Sequence, residues 1–126
     1  MVGNAISCRY GHKIFITPSA INNLELTKSN ISEVDNEGKV KNGIKPSSEI
    51  FMHLYIYKKY PEIHAIVHCH SNWATILSCF RTKIPSFHYM VAEFGGNDIK
   101  CAKYATFGTK ELAKNIIQVI KNRNAC

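Results

Sequence analysis

His64-Ala65-Ile66-Val67-His68-Cys69-His70-Ser71 is the stretch on which the reading of this chain turns. Residues 65–68 are apolar or neutral and include the β-branched Ile66 and Val67, the composition of a buried strand. Residues two apart in a strand point to one face, so His68 and His70 present two imidazoles side by side while Cys69 turns the other way. Two parallel imidazoles at the end of a rigid strand are half of a zinc site. The plainer alternative is a hydrogen-bonded pair of structural histidines.

Upstream of the strand, Ile50, Phe51, Leu54 and Tyr57 form one apolar helical stripe. Ser47 is its expected N-cap, and Pro61 stops it. Downstream, Ser71 is expected to cap a second helix with Ala74, Leu77 and Ser78 on its inner side. The loop at Ile84-Pro85 leads to residues 87–94, which read as strand or strand-like. Gly95-Gly96-Asn97-Asp98 is a turn, and Gly108-Thr109 opens a last helix with Leu112, Ala113, Ile116, Ile117 and Ile120 at spacings of three and four. Toward the N-terminus, residues 13–16 read as a short strand and Thr17-Pro18-Ser19-Ala20 as a loop. Residues 30–34 and 39–40 flank a hairpin turn at Asp35-Asn36-Glu37-Gly38, and Gly3-Asn4-Ala5 is turn-like. Strands and helices alternate after Pro46, so the residues alone give an α/β or α+β class with a mixed sheet.

The 126 residues suffice for one domain, expected over 1–126, and 45% hydrophobic with 20% charged residues is ordinary globular composition. No apolar run spans a bilayer and no signal-peptide pattern opens the chain. The five cysteines are irregularly spaced and read as reduced thiols in a cytoplasmic protein. A formal net charge of +7 invites a nucleic-acid partner, but the lysines are scattered. Lys58-Lys59 sits where it complements a helix dipole. A small phosphorylated substrate suits this charge better; neither nucleic acid nor membrane is expected as a partner.

Lys45-Pro46-Ser47-Ser48-Glu49 is the second stretch with chemistry. Amides and the positive dipole end of a helix attract anions, and two hydroxyls add donors. For Ser47 alone an ordinary capped helix is the better reading; for Glu49, a place at a helix start and near a His-X-His suggests a carboxylate acting beside a metal. Thr17-Pro18-Ser19-Ala20 and the segment around Asn4 could offer amides to a phosphate. Tyr89 is a candidate acid or oxyanion donor, or a core aromatic. His12, His53, His64 and His88 have no partner spacing and read as structural.

Six motifs, in order, carry a resemblance: Ile16-Thr17-Pro18-Ser19, Pro46-Ser47-Ser48-Glu49, His68-Cys69-His70, Ile84-Pro85-Ser86-Phe87-His88-Tyr89-Met90, Gly95-Gly96-Asn97 and Tyr104-Ala105-Thr106-Phe107-Gly108-Thr109. Together they resemble the class II aldolase/adducin family. The resemblance implies a three-layer α/β/α sandwich around a mostly antiparallel sheet, incomplete here at both termini, and a homotetramer. It implies zinc-dependent cleavage of a ketose 1-phosphate to dihydroxyacetone phosphate and an aldehyde. It implies His68 and His70 as zinc ligands and Glu49 as acid/base and occasional ligand. Asn4, Ser19, Ser47 and Ser48 are then substrate-binding, and Tyr89 is a catalytic residue reaching a neighbouring subunit's site. Related epimerases and dehydratases, and the non-catalytic adducin head, share the fold.

Three departures stand out. Asn4-Ala5 occupies the place of the family's Gly-Asn pair, and Ala20 that of a glycine after Ser19. The family's third zinc histidine belongs to a later segment. The expectation is weak zinc binding and little activity from these residues alone, ill-defined oligomers, and a separate C-terminal polypeptide as one source of the missing part.

Overall fold

A computed structural model describes residues 4–126; Gly3, and with it part of the expected N-terminal turn, lies outside them. Four strands, β1 (Ala5–Tyr10), β2 (Lys13–Ile16), β3 (Ser32–Val34) and β4 (Ala65–His68), form one sheet in the order β3-β2-β1-β4. Three α-helices follow the early strands: α1 (Ile50–Lys59), α2 (Asn72–Cys79) and α3 (Lys110–Ile120). Every pairing is antiparallel. Ser7 faces Ile16 on one side and Ile66 on the other, and Ala5 faces His68. The mixed sheet read from element alternation is therefore corrected to the antiparallel sheet of the resemblance, because β1 and β2 form a hairpin and β4 returns along β1.

The pleat gives this sheet one buried and one open face. Ala5, Ser7, Ile14, Ile16, Ser32 and Val34 are buried, whereas Ile6, Tyr10 and Val67 are exposed. Leu54 and Tyr57 of α1 close over Ile14 and Val34. Met52 and Ile56 pack against Ile116 of α3, so α3 stacks on α1 and the layer over the opposite face is not closed within these residues. Thr109 caps α3, its hydroxyl accepting from the Leu112 N–H at 3.2 Å, as the sequence leads one to expect.

Arg9 ties the sheet to the end of α1. Its guanidinium donates to the carbonyls of Tyr57 (2.8 Å), Tyr60 (3.2 Å) and Ile63 (2.6 Å) as well as Pro61, and stacks 4.8 Å from the Tyr57 ring centroid. The Tyr57 carbonyl is in the last turn of α1, at its negative pole, and the other three follow the helix in the turn that leads to β4. Arg9→Met keeps the stem and removes the donors. It should destabilise the chain by about 1.5–3 kcal/mol, the range for hydrogen bonds to a charged group, measured by urea unfolding.

Several sequence expectations are corrected. Ala5, read as the end of a turn, begins a strand that runs to Tyr10. Residues 87–94 contain no strand: Tyr89–Phe94 is a 3-10 helix. The His88 ring starts it by accepting from the Met90 N–H, and Gly95, at φ 85°, ends it in the left-handed region. Glu49, not Ser47, occupies the cap position of α1; Ser47 lies two residues earlier, its hydroxyl 3.3 Å from the Glu49 N–H. Ser71 caps α2 by position but without a side-chain hydrogen bond. Of the supposed inner side of α2, Ala74 and Ser78 are exposed and Leu77 is half-buried, since among the described residues no element packs closely enough on α2 to bury them. Residues 39–40 contribute one bridge, Val34 to Val40, in place of a strand.

Candidate active site

One end of the sheet gathers four segments. The Thr17 N–H donates to the Ile6 carbonyl at 3.0 Å, and the Thr17 hydroxyl accepts from the Ile6 N–H at 3.1 Å. The Ser47 N–H donates to the Thr17 carbonyl and the Ser19 N–H to the Lys45 carbonyl, each at 3.0 Å. The Asn4 side-chain oxygen accepts from the His70 N–H at 3.1 Å. Gly108 closes on Ser48: at φ 69° it fits a residue without a side chain, and a Cβ there would stand 3.0 Å from the Ser48 carbonyl oxygen. Asn4, Ser19, Ser47, Ser48, His68 and His70 thus belong to one neighbourhood.

Glu49 reaches the same level by the geometry of α1. Ser7 hydrogen-bonds His53 and Tyr57 side chains, and Arg9, two residues on, reaches the Tyr57 and Tyr60 carbonyls. The helix therefore advances in the direction of β1. One turn back from His53 is a step of about 6 Å, against roughly 6.8 Å for two strand residues. That step places Glu49 level with Ala5, and Ala5 pairs with His68. Glu49 is 7% exposed.

His68 and His70 converge as their spacing requires. Their Nε2 atoms are 3.0 Å apart, the rings edge-on with centroids at 4.8 Å. One nitrogen carries the hydrogen and the other accepts it. Burial, then the neighbouring His70, hold the His68 pKa below the ordinary imidazole value, which keeps its lone pair available. Two imidazole nitrogens turned toward each other fit a shared metal ion as two of its ligands. Among the described residues, no three His, Cys, Asp or Glu side chains close into a metal-binding group. Glu49 is level with the pair without completing a three-donor set.

Two expected site residues stand differently. Tyr89 is 77% exposed, its ring 4.5 Å from that of His88, and among the described residues it makes no hydrogen bond to Glu49 or the histidine pair. Ala20, where a glycine was expected, sits at φ 63°. The left-handed region costs a residue with a Cβ about 1–2 kcal/mol, partly offset by glycine's larger unfolded-state entropy. Ala20→Gly should stabilise the chain by about 0.5–1 kcal/mol in thermal or urea unfolding.

His53 is the residue that sequence reasoning missed. Expected to be an unremarkable structural histidine, it is fully buried, its Nδ1 2.7 Å from the Ser7 hydroxyl, which is in turn 2.8 Å from the Tyr57 hydroxyl. The signal available was its place in the stripe Glu49, His53, Tyr57, one turn apart each time. Burial, and secondarily His68, lower its pKa from 6.5 to about 4. Below pH 6.5 the unfolded chain takes up a proton that the folded chain refuses until about pH 4. Stability therefore falls as pH falls through that window, by roughly 3 kcal/mol from this group, with His68 acting in the same sense. Urea midpoints at pH 7, 5.5 and 4 should fall in that order.

The sequence profile of the family described as "Class II Aldolase and Adducin N-terminal domain" matches residues 1–126. The chain is 43% identical over 120 residues to the L-fuculose phosphate aldolase of Escherichia coli strain K12, covering 95% of this chain and 56% of that protein. It is 42% identical over 121 residues to the 5-methylthioribulose-1-phosphate/5-deoxyribulose-1-phosphate aldolase of Rhodospirillum rubrum, covering 96% of this chain and 55% of the relative. A solved L-fuculose 1-phosphate aldolase superposes with a TM-score of 0.91 at 41% identity, over 97% of this chain and 58% of that one. The chain thus spans little more than half the length of the relatives it matches. On fold, motif order and these likenesses, it belongs to the class II aldolase and adducin N-terminal domain family.

Proposed function

We propose that these residues are the phosphate-binding and proton-transferring part of a zinc-dependent class II aldolase that cleaves a ketose 1-phosphate to dihydroxyacetone phosphate and an aldehyde. The observation that carries the proposal is the meeting of the Asn4, Ser47–Ser48 and His68–His70 segments at one end of the sheet, with Glu49 at the same level. The names of the relatives give the substrate class: fuculose, 5-deoxyribulose and methylthioribulose phosphates, all ketose 1-phosphates.

Each residue then has a task. Ser19, Ser47, Ser48 and the amides at the start of α1 hold the phosphate. Asn4 holds the His70 backbone. His68 and His70 hold the zinc ion, which supplies Lewis acidity toward the ketose oxygens. In the cleavage, the bond between the carbon beside the carbonyl and the carbinol carbon breaks. Its electron pair stays with the hydroxy ketone half, and the carbinol carbon leaves as an aldehyde, its hydroxyl proton passing to solvent, from which Glu49 is in turn protonated. Glu49 delivers the proton that replaces that bond, a task for a carboxylate within hydrogen-bond reach of the carbon. Tyr89, exposed beside Phe87 and Met90, serves the aldehyde side of a neighbouring subunit in a homotetramer. Among the described residues no helix is long and apolar enough to cross a membrane; a cytoplasmic place for five free thiols is part of the proposal.

That no third donor joins the pair among the described residues favours one other reading, a non-catalytic module of the adducin-head kind. The deciding assay follows dihydroxyacetone phosphate release from the three ketose 1-phosphates with added zinc. It uses the chain alone and the chain joined to the later segment that the family resemblance implies. Zinc-dependent release by the joined protein supports the aldolase, with the chain alone weak; no release by either supports the module.

A further inference from the structure

Three cations meet one buried carboxylate beyond the end of α3. The Asp98 side chain is only 5% exposed, and Lys83 and Lys100 reach its Oδ2 at 3.0 and 3.4 Å. Arg123 approaches Oδ1 through Nη2 at 3.1 Å, and its Nη1 donates to the Asp98 carbonyl at 3.3 Å. The guanidinium is thus fixed through both terminal nitrogens by one residue. Gly96 makes room for it, since a Cβ built there would fall on the guanidinium. The Gly95-Gly96-Asn97 motif, which the serine and histidine segments leave unused, thereby seats Arg123.

Beside this cluster a cleft of about 540 Å³ lies between residues 95–97 and the end of α3. Lys100, Lys121 and Arg123 line it, Asn97, Gln118 and Asn122 add side-chain amides, and no acidic residue does so. The Gly96 and Asn97 N–H groups donate to no group among the described residues. Lys121 is exposed and forms no ion pair among them.

Ordinary structural needs do not account for so many cations. Basic residues after a helix offset its negative pole, which amounts to roughly half an elementary charge. Asp98 adds one full negative charge. Against the four positive charges of Lys83, Lys100, Lys121 and Arg123, these leave a surplus of about two and a half. The surplus is still about one and a half when the exposed Glu93 is counted against it. Cations gathered against their own repulsion, in a cleft without an acid, concentrate anions there. A guanidinium fork and free amides match phosphate oxygens, and the cleft has the volume of a small-molecule site.

We infer that this cleft is a second anion site, taking a small, multiply charged phosphate compound through Lys100, Lys121, Arg123 and the Gly96 and Asn97 amides. Asp98 and Lys83 are its supports: the carboxylate orients Arg123 and Lys100, and Lys83 shares in neutralising it. None of Asn4, Ser19, Ser47, Ser48, His68 or His70 lines the cleft, and the inference does not rest on the aldolase reading.

Titration of the whole chain with inorganic pyrophosphate at constant ionic strength, followed by nitrogen-15 NMR, tests it. The Arg123 side-chain Nε–H and the Gly96 and Asn97 amides should shift together and saturate. Lys121→Gln should weaken that binding by about tenfold or more, the worth of a hydrogen bond to a charged group, without disturbing the fold. Lys114→Gln removes the same charge from an exposed position of α3 outside the cleft and should leave the affinity nearly unchanged. Ser47→Ala should also leave it unchanged, which separates this site from phosphate held at the start of α1. Shifts that do not saturate, shifts spread over lysine-bearing faces elsewhere, or equal weakening by Lys114→Gln and Lys121→Gln overturn the inference. Absence of aldolase turnover counts against the aldolase reading alone, because the titration involves no turnover.

Discussion

Glu49→Gln is expected to lower turnover of a ketose 1-phosphate by about 10²–10⁴-fold, the usual worth of a positioned acid or base, while the fold stays intact. The reasoning is local. Glutamine keeps the volume and the hydrogen-bond acceptor, so the start of α1, where the Ser47 hydroxyl meets the residue-49 N–H, is undisturbed. What is lost is the ability to hold and release a proton. The loss should fall on kcat and kcat/KM together, with KM little changed, because the proton moves only on the way to the transition state. Steady-state kinetics of the protein carrying the later family segment measures this, with urea unfolding as the control. Retained turnover would assign the proton transfer to another group.

The second large effect concerns the histidine pair. On the proposed zinc reading, His68→Ala or His70→Ala should each weaken zinc binding by more than the roughly 10–100-fold typical of losing a supporting partner, since each would remove a direct ligand. Competition against a chromophoric chelator reads this directly. The two variants should differ in stability. His70 lies beyond the end of β4 and is exposed, whereas His68 is half-buried and in register with Ala5. His68→Ala should thus cost folding free energy as well as zinc; His70→Ala should cost zinc alone. Circular dichroism melts of the metal-free variants separate the two effects.

How far the sequence revealed this arrangement follows from what each residue had to contend with. β4, α1 and α3 were legible because their patterns are local: a β-branched run, an apolar stripe, a threonine cap. β1 was not, because its pattern is inverted. Its buried positions are Ala5 and Ser7, small or polar, while Ile6 and Tyr10 face solvent. Only the covering helix decides which side is inside. The aromatic segment 87–94 looked extended by composition, but the His88 ring and Gly95 wind it into a 3-10 helix. α2 was legible as a helix and not in its facing, since within these residues nothing covers it. Of the site, the His68–His70 convergence was legible from period-two spacing, and the place of Glu49 at a helix start from the serine-rich run before the apolar stripe. The Asn4 contact to His70 joins residues 66 positions apart, and the Ser7 contacts to His53 and Tyr57 join residues 46 and 50 apart. No spacing rule reaches such pairs.

The central claim is that His68 and His70 bind one metal ion and that these residues supply no third histidine to it. Zinc-edge X-ray absorption of the zinc-loaded chain tests it most directly. The account predicts imidazole scattering from two histidines with oxygen completing the shell, reduced to one in His70→Ala. Scattering from three imidazoles, or a pattern unchanged when His70 is replaced, would contradict it.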